Sequence, residues 1–127
     1  MSALLLDTHA LLWWLDDDRR LGDTARRTIA AGEVFVSIAS LWEIAVKHGL
    51  GKLAIGPEPV AGAIDRSGFA ILQIARHHCA ALARLPHHHR DPFDRMLIAQ
   101  AASEQLPIMT ADRHFAAYDI EVMPCSR

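Results

Sequence analysis

Short apolar runs separated by longer stretches of helical periodicity constrain this chain more than any other feature. The runs lie at Ala3 to Leu6, Glu33 to Ser37, Phe69 to Ile74, Pro107 to Thr110 and Ile120 to Met123, each of strand length. Helical patterns fill the intervals, at Thr8 to Leu15, Asp23 to Ala31, Ile38 to Leu50, Pro57 to Arg66, Ala75 to Leu85 and Pro92 to Glu104. Strands that alternate with helices form βαβ units, whose crossover connections set the strands parallel. The expected class is a three-layer α/β domain, and an apolar share of 51% suits a sheet covered on both faces.

Two helices are the clearest. In Ile38 to Leu50, Leu41, Ile44 and Ala45 recur at helical spacing, and Gly49 and Gly51 end the pattern. In Pro92 to Glu104 the proline suits a first turn, and Phe93, Met96, Leu97 and Ala101 share a face. A chain of 127 residues has the size of one domain, which is assigned to residues 1–127. Asp7 and His9 interrupt the N-terminal leucine run, so no span of about 20 apolar residues and no signal-peptide core can be drawn. The expectation is a cytoplasmic protein with no membrane segment. Cys79 and Cys125 lack ligand or disulfide spacing and read as ordinary thiols. A net charge of −2 excludes a generally basic, nucleic-acid-coating surface.

Four acids fall at related places. Asp7 closes the first strand, Glu43 is placed in the first turn after the second, Asp94 opens the late helix and Asp112 follows the fourth strand. In open parallel sheets the ligand crevice lies beyond the carboxyl ends of the strands, where connections diverge, and these acids would converge there. Capping explains each acid singly. Ser40-Leu41-Trp42-Glu43 has the form of a capping box, and Asp91-Pro92-Phe93-Asp94 that of a capping aspartate with proline first and an acid third. Capping does not require an acid at every junction of one rim, however. Carboxylates gathered within a few ångströms raise one another's pKa unless a cation lies among them. Oxygen donors of this kind suit Mg²⁺ or Mn²⁺ and support metal-assisted phosphodiester hydrolysis.

Leu4-Leu5-Leu6-Asp7-Thr8-His9-Ala10, Ser40-Leu41-Trp42-Glu43-Ile44, Asp91-Pro92-Phe93-Asp94-Arg95-Met96-Leu97-Ile98-Ala99-Gln100-Ala101 and Thr110-Ala111-Asp112 resemble, in that order, the motifs of PIN-domain toxins of the VapC type. The resemblance runs from Leu4 to about Phe115. It implies a five-stranded parallel sheet between helices, Mg²⁺ or Mn²⁺ dependence and endonucleolytic cleavage of RNA. It places Asp7, Glu43, Asp94 and Asp112 at the four acidic metal-site positions, with Thr110 as a supporting hydroxyl. Asp91 is an N-cap or an outer ligand, and the cap is preferred. A cognate antitoxin, a homodimer and a toxin–antitoxin hetero-oligomer are further implications. Asp7 and Asp94 are expected to hold the principal ion directly, with Glu43 and Asp112 acting through water or at a second site; the products implied are a 5′-phosphate and a 3′-hydroxyl.

Lys47, Arg95 and Arg113 adjoin the acids in sequence and could meet RNA phosphates; solvated charge or pairing with the acids is the alternative. Three consecutive histidines, His87 to His89, cannot all face one ion from regular structure, so a wet loop beside the acidic rim is preferred to zinc, with His88 or His89 near substrate. Trp13, Trp14 and Trp42 could stack on bases, but burial in core or interface is preferred, with at most one of the adjacent pair in the core. Two other classes are weighed. A receiver domain would need paired acids at the first strand and an aspartate at the third, which here reads Phe69-Ala70-Ile71-Leu72-Gln73-Ile74; Asp7-Thr8-His9 also fails the DxD of a haloacid-dehalogenase-type phosphatase. A catalytically silent PIN-like binding module remains open.

Overall fold

Strand β1 (Ala3–Leu6) sends Leu4 and Leu6 into one hydrophobic core and Leu5 into another, the alternation of a strand buried on both faces. In the computed structural model, which describes residues 2–126, β1 is the middle of five strands. The others are β2 (Glu33–Ser37), β3 (Ala70–Leu72), β4 (Ile108–Thr110) and β5 (Val122–Pro124). They pair in the order β3-β2-β1-β4-β5, every pair parallel.

Six α-helices connect them: α1 (Thr8–Leu15), α2 (Asp23–Ala31), α3 (Ile38–Gly49), α4 (Pro57–Ser67), α5 (Arg76–Arg84) and α6 (Pro92–Glu104). The first core joins Leu4, Leu6, Val34, Val36 and Met109 of the sheet to Leu11 of α1, Ile29 of α2 and Val60 and Ile64 of α4. The second joins Leu5 and Ile108 to Met96, Leu97 and Ile98 of α6, with Phe115 and Tyr118. Helix α3 contributes to both, through Ile44 and Ala39 respectively. The expected three-layer α/β class, with its five-stranded parallel sheet, is the architecture found.

The strand order positions the site. From β1 the chain moves outward through β2 to β3, then crosses to β4 on the other side of β1. The direction therefore reverses between β1 and β4, at whose carboxyl ends Asp7 and Thr110 stand. Leu6 lies in register with Met109, and Asp7 N extends the ladder by donating to Met109 O at 3.1 Å.

Boundaries differ from the sequence reading for local reasons. The third strand is shorter than Phe69 to Ile74: β2 pairs it only through Phe35, Val36 and Ser37, and Phe69 N donates back to Ile64 O of α4. The fifth begins at Val122, since Ile120 N donates to Tyr118 O. A 3-10 helix, Arg113–Ala117, follows Asp112 and has no counterpart among the expected elements. No described helix is long and apolar enough to cross a membrane. Cys79 is exposed and Cys125 buried, both as free thiols.

Candidate metal centre

Each acid of the rim is fixed by local backbone structure. Asp7 is the N-cap of α1, accepts from Ala10 N at 2.8 Å and is 3% exposed. Asp91 caps α6, accepting from Phe93 N at 2.9 Å and Asp94 N at 3.0 Å, and so performs the capping role preferred for it. Asp94 sits in the first turn of that helix, as expected. Asp112 caps the 3-10 helix through His114 N at 2.9 Å. Thr110, almost fully buried, accepts from Asp112 N at 2.9 Å and so fixes the backbone that carries that acid.

Glu43 and Ser40 require a correction. Ser37 is the cap of α3, accepting from Ala39 N at 2.9 Å, so the helix starts directly from β2 and Glu43 lies in its second turn. Ser40 is inside the helix, fully buried, and caps nothing. The Thr8 hydroxyl lies 3.0 Å from Ser40 Oγ and donates to Glu43 Oε1 at 2.7 Å. Lys47, one turn on, donates to Glu43 Oε2 at 2.6 Å. Fixed on both oxygens, Glu43 is only 3% exposed.

Electrostatics report the convergence of these groups. Burial, followed by the negative charges of Asp91, Glu43 and Asp7, pushes the Asp94 carboxyl up to about 7, against an opposing pull from His89. Burial also raises Asp7, outweighing the bonds to Thr110 and Ala10. Asp112 behaves differently: burial pushes it upward, but bonds from the His114 amide and from the His89 and His114 rings hold the carboxyl below its ordinary value. Asp7, Glu43 and Asp94 thus bear on one another through like charge, whereas Asp112 already accepts from several donors.

His89 is the member that sequence reasoning placed only loosely. Its Nε2 lies 2.8 Å from Asp112 Oδ2 and 3.2 Å from Asp94 Oδ2, so it bridges two of the acids. His87 and His88 are exposed, and His88 turns its ring edgewise to Tyr118 at 5.1 Å. The loop is held by the Tyr118 hydroxyl, which accepts from His88 N at 3.0 Å and His89 N at 2.9 Å and donates to Pro86 O at 2.8 Å. The available signal was the position of His89 two residues before the capping Asp91.

The cations fall apart as a group. Lys47 is engaged by Glu43, whose hydrogen bond raises its pKa. Arg95 is turned away from the acids: its guanidinium donates to Pro86 O at 2.9 Å and Leu85 O at 3.3 Å, and so buttresses the histidine loop. The expectation that Arg95 meets RNA is not supported, because one helical step from Asp94 carries its side chain toward that loop. Arg113 is exposed on the 3-10 helix.

Trp13 and Trp14 are both half-buried and pack against the first core without belonging to it, in keeping with the expectation of at most one core residue between them. Trp14 packs near Phe69, and Trp13 carries the Arg20 guanidinium 4.8 Å from its ring. Trp42 is the exposed one, edge-on to Phe93 at 5.1 Å. An open groove of about 530 Å³ runs past Thr8, His9, Leu12, Trp13, Lys47 and Ile55; it adjoins the acids through Thr8 and Lys47 without enclosing them.

A second polar cluster, unforeseen in the sequence, lies between α5 and α6. His77 and His78 place Nε2 2.8 Å and 2.9 Å from Glu104 Oε2. Ala75 N donates to His78 Nδ1 at 2.9 Å, which leaves the proton on Nε2. A metal-ligating histidine has the opposite arrangement, donating from its free nitrogen, so this cluster is a strap between helices.

The family model for the PIN domain matches residues 4–121. Comparison with curated protein sequences finds no match. Among solved structures, the chain is similar to VapBC2 from Rickettsia felis bound to a DNA fragment from its promoter, at 13% identity, covering 96% of this chain and 98% of that one, with a TM-score of 0.72. DNA-bound VapBC from Salmonella typhimurium is similar at 18% identity over 98% of each chain, with a TM-score of 0.72. VapBC-5 from Mycobacterium tuberculosis, a member of the VapBC family of toxin–antitoxin systems, matches at 24% identity over 100% of both chains, with a TM-score of 0.61. At these identities the shared property is the fold.

Proposed function

The chain belongs to the PIN-domain family, and from that premise we propose that it is a Mg²⁺-dependent endoribonuclease, the toxin of a toxin–antitoxin pair, built as one domain over residues 1–127. The observation that carries this reading is that buried Asp7 and Glu43 and half-buried Asp94 act on one another's charge near the point where the strand order reverses, with Asp94 driven up to about 7 by burial and its neighbours' charges. Such repulsion is relieved by a cation, and an all-oxygen donor set fits Mg²⁺ or Mn²⁺ better than zinc.

Asp7 and Asp94 would hold the ion, and Glu43, committed to Thr8 and Lys47, would act through water. When bound, the ion polarises a phosphate and makes water a stronger nucleophile. The Asp7 cap keeps the first ligand oriented, and the Asp91 cap does so for the first turn that carries Asp94. Lys47 and exposed Arg113 are the cations best placed to meet an RNA backbone beside the acids. The groove past Trp13 and Lys47 is the surface on which an antitoxin tail would lie, and the protein would act in the cytoplasm as a homodimer within a toxin–antitoxin hetero-oligomer.

The test is cleavage of total RNA by the purified, antitoxin-free chain in Mg²⁺ or Mn²⁺, beside Asp7→Asn and Asp94→Asn. Cleavage is expected from the wild type alone, and EDTA should abolish it. Equal cleavage by all three proteins would overturn the assignment, and no cleavage by any would favour a silent binding module.

A further inference from the structure

The bridge made by His89 bears on how many cations the acidic rim can take. Asp91 N donates to His89 Nδ1 at 3.1 Å, so that nitrogen is an acceptor and the ring proton sits on Nε2. Nε2–H therefore points between Asp112 Oδ2 and Asp94 Oδ2, the place an ion shared by those carboxylates would fill at about 2.0–2.1 Å from each oxygen. A protonated ring nitrogen cannot ligate a metal. Asp112 has little left to offer: Oδ1 accepts from His114 N at 2.9 Å and His114 Nδ1 at 2.8 Å, and Oδ2 accepts from His89.

The ring is not free to swing aside. Its side chain is 13% exposed and packs edge-on to Phe115 at 5.7 Å, and its backbone amide is bound to the Tyr118 hydroxyl, itself fixed on Pro86 O.

We propose that His89 is a positioning residue that closes the space between Asp94 and Asp112 to a second divalent cation, so that the rim takes one ion on the Asp7 and Asp94 side. Asp112 is then a hydrogen-bonded support for the His89 ring and not a ligand. This rests on the metal-dependent reading above.

Two measurements on the purified, metal-free chain test it. Calorimetric and electron-paramagnetic titration with Mn²⁺ should give one ion per chain for the wild type, none for Asp7→Asn, two for His89→Ala, and one again for His89→Gln, whose amide restores the donor. Two ions in the wild type, or one in folded His89→Ala, would overturn the proposal. No ion in the wild type would instead bring down the metal-dependent reading, and this one with it. Nitrogen-15 spectra of the wild-type imidazoles, which need no variant to fold, should show His89 protonated on Nε2 and bare on Nδ1; the opposite tautomer would also refute it.

Discussion

Asp94 shows how one carboxyl couples the site to the stability of the chain. In the folded protein its proton is retained to about pH 7, whereas an unfolded chain releases it near the ordinary value of 3.8. Between those values the folded state binds more protons, so metal-free stability declines as pH rises through the window and is lowest above it. Asp7, raised in the same direction, adds to the slope. The thermal midpoint in EDTA is expected to be lower at pH 8 than at pH 5, by an amount equivalent to a few kcal/mol. Mg²⁺ should remove most of that difference, and Asp94→Asn should flatten it without metal. A midpoint in EDTA that rises from pH 5 to pH 8 would contradict the burial and crowding described. At this scale the sequence was readable wherever a residue's role follows from its place at an element boundary: Asp7, Asp91 and Asp112 cap what they precede. It was misleading at Ser40, because Ser37 competes for the same cap and the strand runs straight into the helix. His89 was opaque because its importance depends on contacts with Asp94 and Asp112, the latter 23 residues away.

Among the elements, α6 carries a conformational cost that sequence periodicity does not reveal. Its C-cap, Gln105, adopts a left-handed backbone with φ 54°, a region that favours glycine. Gln105→Gly is expected to raise stability by up to about 1 kcal/mol in chemical denaturation, with RNA cleavage unchanged. Immediately before it, Glu104 holds His77 and His78 of α5. Glu104→Ala strands the buried His78 Nε2–H and should lower stability by about 1–3 kcal/mol, again with cleavage unchanged. A loss of activity in either variant at a temperature where it is folded would show that α6 transmits strain to Asp94. Helices were legible here because their apolar spacing and Pro92 act locally. The ends of β3 and β5 were not, since a parallel ladder stops where its neighbour stops offering partners, and that is a property of two segments at once.

Over the whole molecule, β1 serves both hydrophobic layers. Leu5→Ala opens space in the second core and is expected to cost about 2–5 kcal/mol, seen as a lower denaturant midpoint with unchanged slope. The fold class could be read from the sequence because alternating strands and helices leave few parallel arrangements, and the crevice followed from the class. The pairing of β1 with β4, across more than a hundred residues, is what turns that class into a site.

That pairing has a consequence for when the acidic rim comes into being. Its acids arrive from four segments spread from Asp7 to Asp112, and Asp7 N meets Met109 O only when β4 docks beside a strand that emerged well before it. A ribosome releases the chain from its N-terminus, so the nascent protein carries Asp7 and Glu43 well before the rim has its remaining members. Assembly of the rim is thereby tied to synthesis of β4 and closure of the central strands, and local opening of the β1–β4 seam would take the rim apart without unfolding the rest.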